Sequence, residues 1–579
     1  MIQNQINQKN SKWNIIIIIS SIIGLITCIA VLFLPVRLMI INWAIQILHK
    51  ELISYDIPLN LLFSYAMGGI CFILLFDYYA LTKSGRAAVQ EIKDCLSEID
   101  YKFFLKPVLL MFVIYSLGIF TIIRANFLYI DDIKRSIEGC RGWSDWSRYV
   151  SEFLSIFVHA DTNITDISPL PQLLAVLIMS LSSVLLVYII GNRRISIIML
   201  IASTPLTLSP YFLECLVFKF DAPYFALSIL ASIIPFLFIT RRKAFLLVSV
   251  VSLLIMCMTY QSASGIYILI AIFLCFQDWN RRQKTNKEIL SFIGISVVAF
   301  CFAMLFFKFF LMKPYLLQES GYASNAMHPV SHIIPGTLSN IKNYAMTINN
   351  DFGIIWKIGI LMILLFFIIQ STYSSAQKKI FSFSVSIMFI GLSFILSFGV
   401  YSLLEEPTYF PRSLFGFSVF IAILCVYIAD YKKITTFAVL ALNWCFFVFA
   451  FSYGNALADQ ARYAEFRIGL LLHDLSTLYP NADKEDLPIQ LLESIDYAPT
   501  IKNISKHYPV IEKLVPKRLG NTYSVFDYLY LMGHFNYKRK KPDFGTSINY
   551  DNMDLPVVLD SYYHTIKSDG EHTIVILKH

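Results

Sequence analysis

The run LKPVLLMFVIYSLGIFTIIR (residues 105–124) leads straight into ANFLYIDDIKR (residues 125–135), and the reading of that junction decides the fold. A predominantly apolar run of about 20 residues is long enough for one helical crossing of a bilayer. Beyond it two carboxylates, Asp131 and Asp132, and two cations, Lys134 and Arg135, stand where the span meets water. Ionisable groups at a membrane boundary must be solvated or paired, which makes them functional candidates, with an ordinary solvated loop as the competing reading.

The whole chain repeats this alternation. Its 579 residues are 57% hydrophobic and 15% charged, with a mean hydropathy of +0.62, a balance that belongs to a polytopic α-helical membrane protein. Apolar windows occur at roughly 13–34, 59–82, 105–124, 169–190, 195–210, 222–240, 244–260, 262–277, 289–311, 354–371, 380–402, 413–430 and 434–452. The expected architecture is therefore about 11–13 transmembrane helices. The N-terminal run from Trp13 to Pro35 is too long for a cleaved signal and is expected to remain as an anchor.

The net charge of +8 does not point to nucleic acid, because the cations fall in short clusters between apolar runs. Arg193-Arg194, Arg241 to Lys243, Arg281-Arg282, Lys378-Lys379 and Lys432-Lys433 all fall on one side if the windows alternate. The positive-inside rule makes that side cytoplasmic, with the N-terminus inside and the C-terminus outside. The remaining loops, including 125–168, 211–221, 312–353 and 403–412, are then external. The ten cysteines show no metal-binding spacing; a disulfide between external Cys140 and Cys215 stays open.

Three regions follow: an N-terminal two-helix extension with its linker (1–104), a transmembrane core (105–452), and a small C-terminal α/β domain (453–579). Within the loops, Asp145 to His159 has the apolar spacing of an interfacial helix, 312–353 is expected to be a mobile cover, and 571–578 reads as a closing strand.

Four external sites could converge: Asp131-Asp132 with Arg135, Pro169 to Gln172, Glu214 with Lys219 and Asp221, and Glu405 to Arg412. A carboxylate can take a proton from an attacking hydroxyl while arginine neutralises a departing phosphate. Asp131 and Asp132 are both candidates for the base. Arg412, Arg135 and Arg148 are candidate phosphate ligands, or cations that merely snorkel to the interface. Glu214, Asp221, Lys219, Gln172 and Trp143 are candidates for substrate binding. Glu214 and Asp221 would share a face if their segment is one helix, with salt bridges to Lys219 or Arg135 as the alternative. No metal and no other cofactor is required by this set.

Asn126 to Arg135, Gly142-Trp143, Pro169 to Gln172, Pro210 to Asp221, Pro411 to Gly416 and Tyr453 to Ala458 together resemble the type II glucosyl transferase family of O-antigen serotype conversion, in matching order over roughly 110–579. The resemblance implies a GT-C-like membrane enzyme that moves glucose from undecaprenyl phosphate glucose to a sugar of lipopolysaccharide O-antigen on the periplasmic face. It also implies a bacterial inner-membrane location. A flippase and a cytoplasmic glucosyltransferase that makes the lipid donor would be its partners, alongside membrane lipids. An O-antigen polymerase or ligase, or a lipid-linked sugar transporter, are the alternatives.

Overall fold

The computed structural model describes residues 82–312, 326–480, 489–519, 555–570 and 572–579. The windows at 13–34 and 59–82 fall outside these residues, Thr82 excepted. Each of the other eleven windows contains helix. Seven helices among the described residues are long and apolar enough to cross a membrane, from Tyr101–Gly118 to Lys433–Leu478. The pair Ile197–Leu208 and Pro210–Val217, bent by 62°, makes an eighth if it is one broken span. The chain is a multi-pass helical membrane protein.

Eleven of the windows fall among the described residues, and the difference from seven or eight lies in shorter helices. Ala222–Phe238 and Phe415–Ile428 are apolar but short, and every residue of Phe415–Ile428 is buried. Their composition suits the interior of a bundle as well as it suits lipid. A hydropathy window registers only that both exclude water.

The break in the bent pair is local chemistry. Pro210 has no N–H to donate back into the preceding turn, and Ser209 caps the new helix by accepting from the Phe212 N–H at 3.4 Å. The result turns Pro210–Val217, and Glu214 with it, away from the direction of the first half.

The loops expected on the cytoplasmic side meet one another. Arg241 pairs with Glu98 at 3.6 Å, Arg282 donates to Gln377 at 3.2 Å, and Ser196 donates to Asp430 at 2.5 Å. The candidate site gathers at the opposite ends of these helices.

The segment expected to be an interfacial helix is helical over Tyr149–His159. Phe153 and Phe157 are 59% and 67% exposed, whereas Ser151, Glu152 and Ser155 are buried. Two phenylalanines thus look outward, while Leu154 and Val158 pack inward with the polar residues. In the long loop, Ile333–Asp351 is a helix of 19 residues, so much of the expected cover is regular structure.

The C-terminal region is joined to the bundle by one continuous helix, Lys433–Leu478, which passes 452 and 453 without a break. Beyond it, β1 (Ile489–Leu492), β2 (Val557–Asp560), β3 (His564–Ser568) and β4 (Thr573–Leu577) form a sheet in the order β1-β4-β3-β2. Only β1 and β4 run parallel; the other pairs are antiparallel. The expected closing strand is β4. The sheet packs Ile566, Val575 and Leu577 against Ile468, Leu471 and Leu475 of the long helix, and Ile133 joins the same cluster. Between strands, helices Pro499–His507 and Ile511–Leu514 return to the membrane core, where Ile501, Ile511 and Leu514 are buried.

Helix Lys433–Leu478 crosses Phe120–Ala125 closely at Gly454. A Cβ there would lie 2.5 Å from the Thr121 carbonyl carbon and 2.6 Å from the Ile122 nitrogen. Neither backbone atom can move cheaply. Gly454→Ala is expected to destabilise the protein by about 1–3 kcal/mol, measured as a lower melting temperature in detergent, whereas Gly469→Ala, with open space around it, should leave it unchanged or higher.

Candidate functional site

The site begins where Phe120–Ala125 ends. Asn126 takes a left-handed conformation (φ 46°) and closes that helix, and Asp131–Glu138 follows with Asp131 and Asp132 in its first turn. Carboxylates are favoured there by the partial positive charge of the helix start. Gly139, at φ 63°, ends the helix; its carbonyl accepts from the Ile164 N–H at 3.0 Å. A side chain at 139 would collide with Asn163.

The two aspartates have different surroundings. Asp132 is fully buried. Its carboxylate accepts from the Tyr129 N–H at 3.0 Å and the Lys219 N–H at 3.1 Å. Burial nevertheless pushes its pKa up to about 7, outweighing the lowering by those N–H groups and by Arg135. Asp131 is exposed and is one of the groups whose charge acts on Arg148.

Two carboxylates further along the chain each hold an arginine. Helix Pro210–Val217 stops before Asp221, so Glu214 and Asp221 do not share a helix face as the single-helix reading required. Asp221, 3% exposed, accepts from Arg135 and from Trp143 Nε1 at 2.6 Å, and the Arg135 guanidinium lies 4.3 Å from the Trp143 ring centre. Glu214, 1% exposed, takes Arg412 twice: Nη1 at 2.6 Å and the backbone N–H at 2.5 Å. The salt-bridge alternative therefore holds for Arg135, with Asp221. Lys219 instead pairs with Asp166 at 2.7 Å.

Arg148 sits between these groups. Its guanidinium is 4.9 Å from the Tyr260 ring centre and 4.0 Å from Asp221 Oδ1, and its buried Nε has no hydrogen-bond partner. A guanidinium offers five donors in a fixed fork; this one has capacity left for an anion. Arg412 is bound more fully, by Glu214 and over the Phe410 ring at 4.8 Å.

Gln172 is buried at the start of Leu170–Ile190 and accepts from Ser168 Oγ at 3.3 Å. No bond joins it to the arginines. Cys140 and Cys215 are both free. The sequence reading passed over Tyr129, although it lies inside the opening motif, and Tyr260, whose place at the end of the apolar window 244–260 was the available signal. Tyr129 donates toward Glu214 at 3.2 Å, and Tyr260 forms the wall under Arg148.

The chain is a helical membrane bundle that gathers three arginines and four buried or rim carboxylates at one end, with one guanidinium donor unpartnered. The chain belongs to the Glucosyl transferase GtrII family, whose model matches residues 120–429, more than half of its length. It is a membrane glucosyltransferase by that membership. It is also 23% identical, over 426 residues, to an uncharacterised 55.3 kDa protein of Salmonella phage P22 encoded in the gtrB 5′ region. That match covers 69% of this chain and 84% of the phage protein. No solved structure matches the chain.

Two outcomes follow from the pairings. Asp221→Ala leaves the buried Arg135 without its counter-charge, which is expected to cost about 3–5 kcal/mol and to appear as a large fall in folded yield and melting temperature. Asp132 has a folded pKa raised from 3.8 to about 7. Between those values the folded state binds the proton and the unfolded state does not, so this group's contribution to stability is present at low pH and is lost as pH rises through that window. The melting temperature of Asp132→Asn relative to the wild type should therefore climb from pH 5 to pH 8.

Proposed function

We propose that this protein transfers glucose from undecaprenyl phosphate glucose to a hydroxyl of O-antigen, on the periplasmic face of a bacterial inner membrane. The acceptor oxygen attacks C1 of glucose, the C1–O bond to phosphate breaks, and undecaprenyl phosphate departs with the bonding electrons. The acceptor's proton passes to Asp131, and attack from the face opposite the phosphate inverts C1.

One observation carries this reading: the partly buried Arg148 guanidinium, with an unpartnered Nε, lies within electrostatic reach of the exposed Asp131. Arginine matches a phosphate through paired N–H donors, and a carboxylate able to accept a proton is needed within reach of the attacking hydroxyl. Asp131 is favoured over Asp132 as the base because Asp132 is closed off by two backbone N–H groups. Arg412 supplies a second phosphate contact from the opposite wall. Arg135 and Trp143 hold Asp221 in place and so act as positioning residues. Lys219, held by Asp166, fixes the first turn of the Asp132 helix through its own backbone N–H.

The C-terminal region, 453–579, supports the same site as a periplasmic element, since Ile133, within two residues of Asp131, packs in its core. A flippase and a donor-synthesising glucosyltransferase would deliver the lipid to this face.

The test is transfer in reconstituted vesicles, followed by mass spectrometry of the O-antigen. Asp131→Asn is expected to lower kcat by about 100-fold or more, the usual share of a general base, with insertion intact. Arg148→Lys should lower kcat/KM by at least about tenfold, because a lysine lacks the fork. Full activity in Asp131→Asn would remove the assignment, and failure of the wild type to transfer hexose from this donor would remove the function.

A further inference from the structure

Tyr129 has one hydroxyl proton and two acceptors. Its oxygen is 3.2 Å from Glu214 Oε1 and 3.0 Å from the Leu514 carbonyl oxygen, and a phenol donates to only one of them at a time. The Leu514 carbonyl has a second donor, the Tyr453 hydroxyl at 3.1 Å. It stays satisfied if Tyr129 turns away. Glu214 is in the opposite position, because its Oε1 is shared between Arg412 Nη1 and Tyr129 alone among the described residues.

We infer that Tyr129 is a positioning residue which releases Arg412 to the donor phosphate by turning its hydroxyl hydrogen bond onto Glu214. The inference rests on the proposed lipid-phosphate donor. With no donor bound, Glu214 grips the Arg412 guanidinium at 2.6 Å. When that guanidinium turns to a phosphate, a buried carboxylate loses its closest counter-charge, and such a group needs a replacement hydrogen bond. The Tyr129 proton supplies it, while Tyr453 keeps the Leu514 carbonyl bonded and the Arg412 backbone N–H keeps Oε2 bonded at 2.5 Å. No bond other than hydrogen bonds changes, and no charge is created.

The geometry gives the C-terminal segment a part in this exchange. Leu514 ends the short helix Ile511–Leu514, and its neighbour Lys513 is bound to Asp351 at 2.5 Å. Asp351 also accepts from Tyr211 at 3.0 Å, one helical turn before Glu214. The carbonyl that competes for the Tyr129 proton is thereby fixed relative to the helix that carries Glu214.

A double-mutant cycle on the full-length reconstituted protein tests the exchange, with undecaprenyl phosphate glucose as donor. Tyr129→Phe is expected to raise the donor KM about tenfold, the worth of one hydrogen bond to a charged group, with kcat within about twofold. In a Glu214→Gln background the same change should move KM by less than about twofold, since the neutral amide does not need the proton. Tyr453→Phe provides a second arm that keeps Glu214 intact. It ties the Tyr129 proton to Leu514, so it should raise KM in the presence of Tyr129 and have no effect in Tyr129→Phe. An unchanged KM in Tyr129→Phe, or equal effects in both backgrounds of either cycle, overturns the inference. If the wild type transfers nothing from this donor, the fault lies with the proposed reaction. The same cycles are then read as dissociation constants for undecaprenyl phosphate itself, where additivity overturns the inference and coupling sustains it.

Discussion

Glu214 lies inside the protein, one turn past a proline break, and its charge is acceptable there only because Arg412 meets it with both a side-chain and a backbone donor. That pairing sets a condition on everything nearby. The helix Pro210–Val217 must bend to present the carboxylate, and the turn Pro411–Ser413 must bring a backbone N–H as well as a guanidinium. A single-partner contact would leave lone pairs of a buried carboxylate open, at a cost that a membrane-edge bundle has little means of recovering. The Asp221 pair repeats the solution with Arg135 and the Trp143 indole. The arginines of this end are thus sorted: one is committed to structure, one is shared, and Arg148 is left with an open donor.

The membrane class was legible in the sequence because bilayer thickness imposes a length on apolar runs, and 105–124 or 354–371 meet it plainly. The lengths of the helices were not, since Phe415–Ile428 is as apolar as any span yet is short and enclosed by protein. The charged motifs were legible as members of one constellation. Their partners were not. Spacing suggested that Glu214 and Asp221 face one way, but a helix end at Val217 separates them, and the partners that matter come from 198 and 86 residues away. Distance along the chain carries no record of such pairings. The choice between Asp131 and Asp132 needed burial: adjacent in sequence, one points its carboxylate at two backbone N–H groups and the other stands in solvent.

The C-terminal region shows the same limit from another side. Its composition departs from that of the membrane core and suggests an appended unit. Yet Ile501, Ile511 and Leu514 pack in the membrane core, while Ile133 of the aspartate helix packs with the sheet. Each region thus lends residues to the other, and the aspartate helix is braced by a sheet whose strands lie more than 350 residues later.

The long helix Lys433–Leu478 has a mechanical consequence. At 1.5 Å per residue its 46 residues make a rod of about 70 Å, with no proline along it to act as a hinge. About half of that length belongs to an apolar window and half to the sheet's support. Any tilt of the membrane-embedded half is therefore carried as a lever arm to the sheet, and through Ile133 back to the aspartate helix. Bilayer thickness, to which a long apolar stretch adjusts by tilting, becomes a variable to which the two ends of this protein respond together.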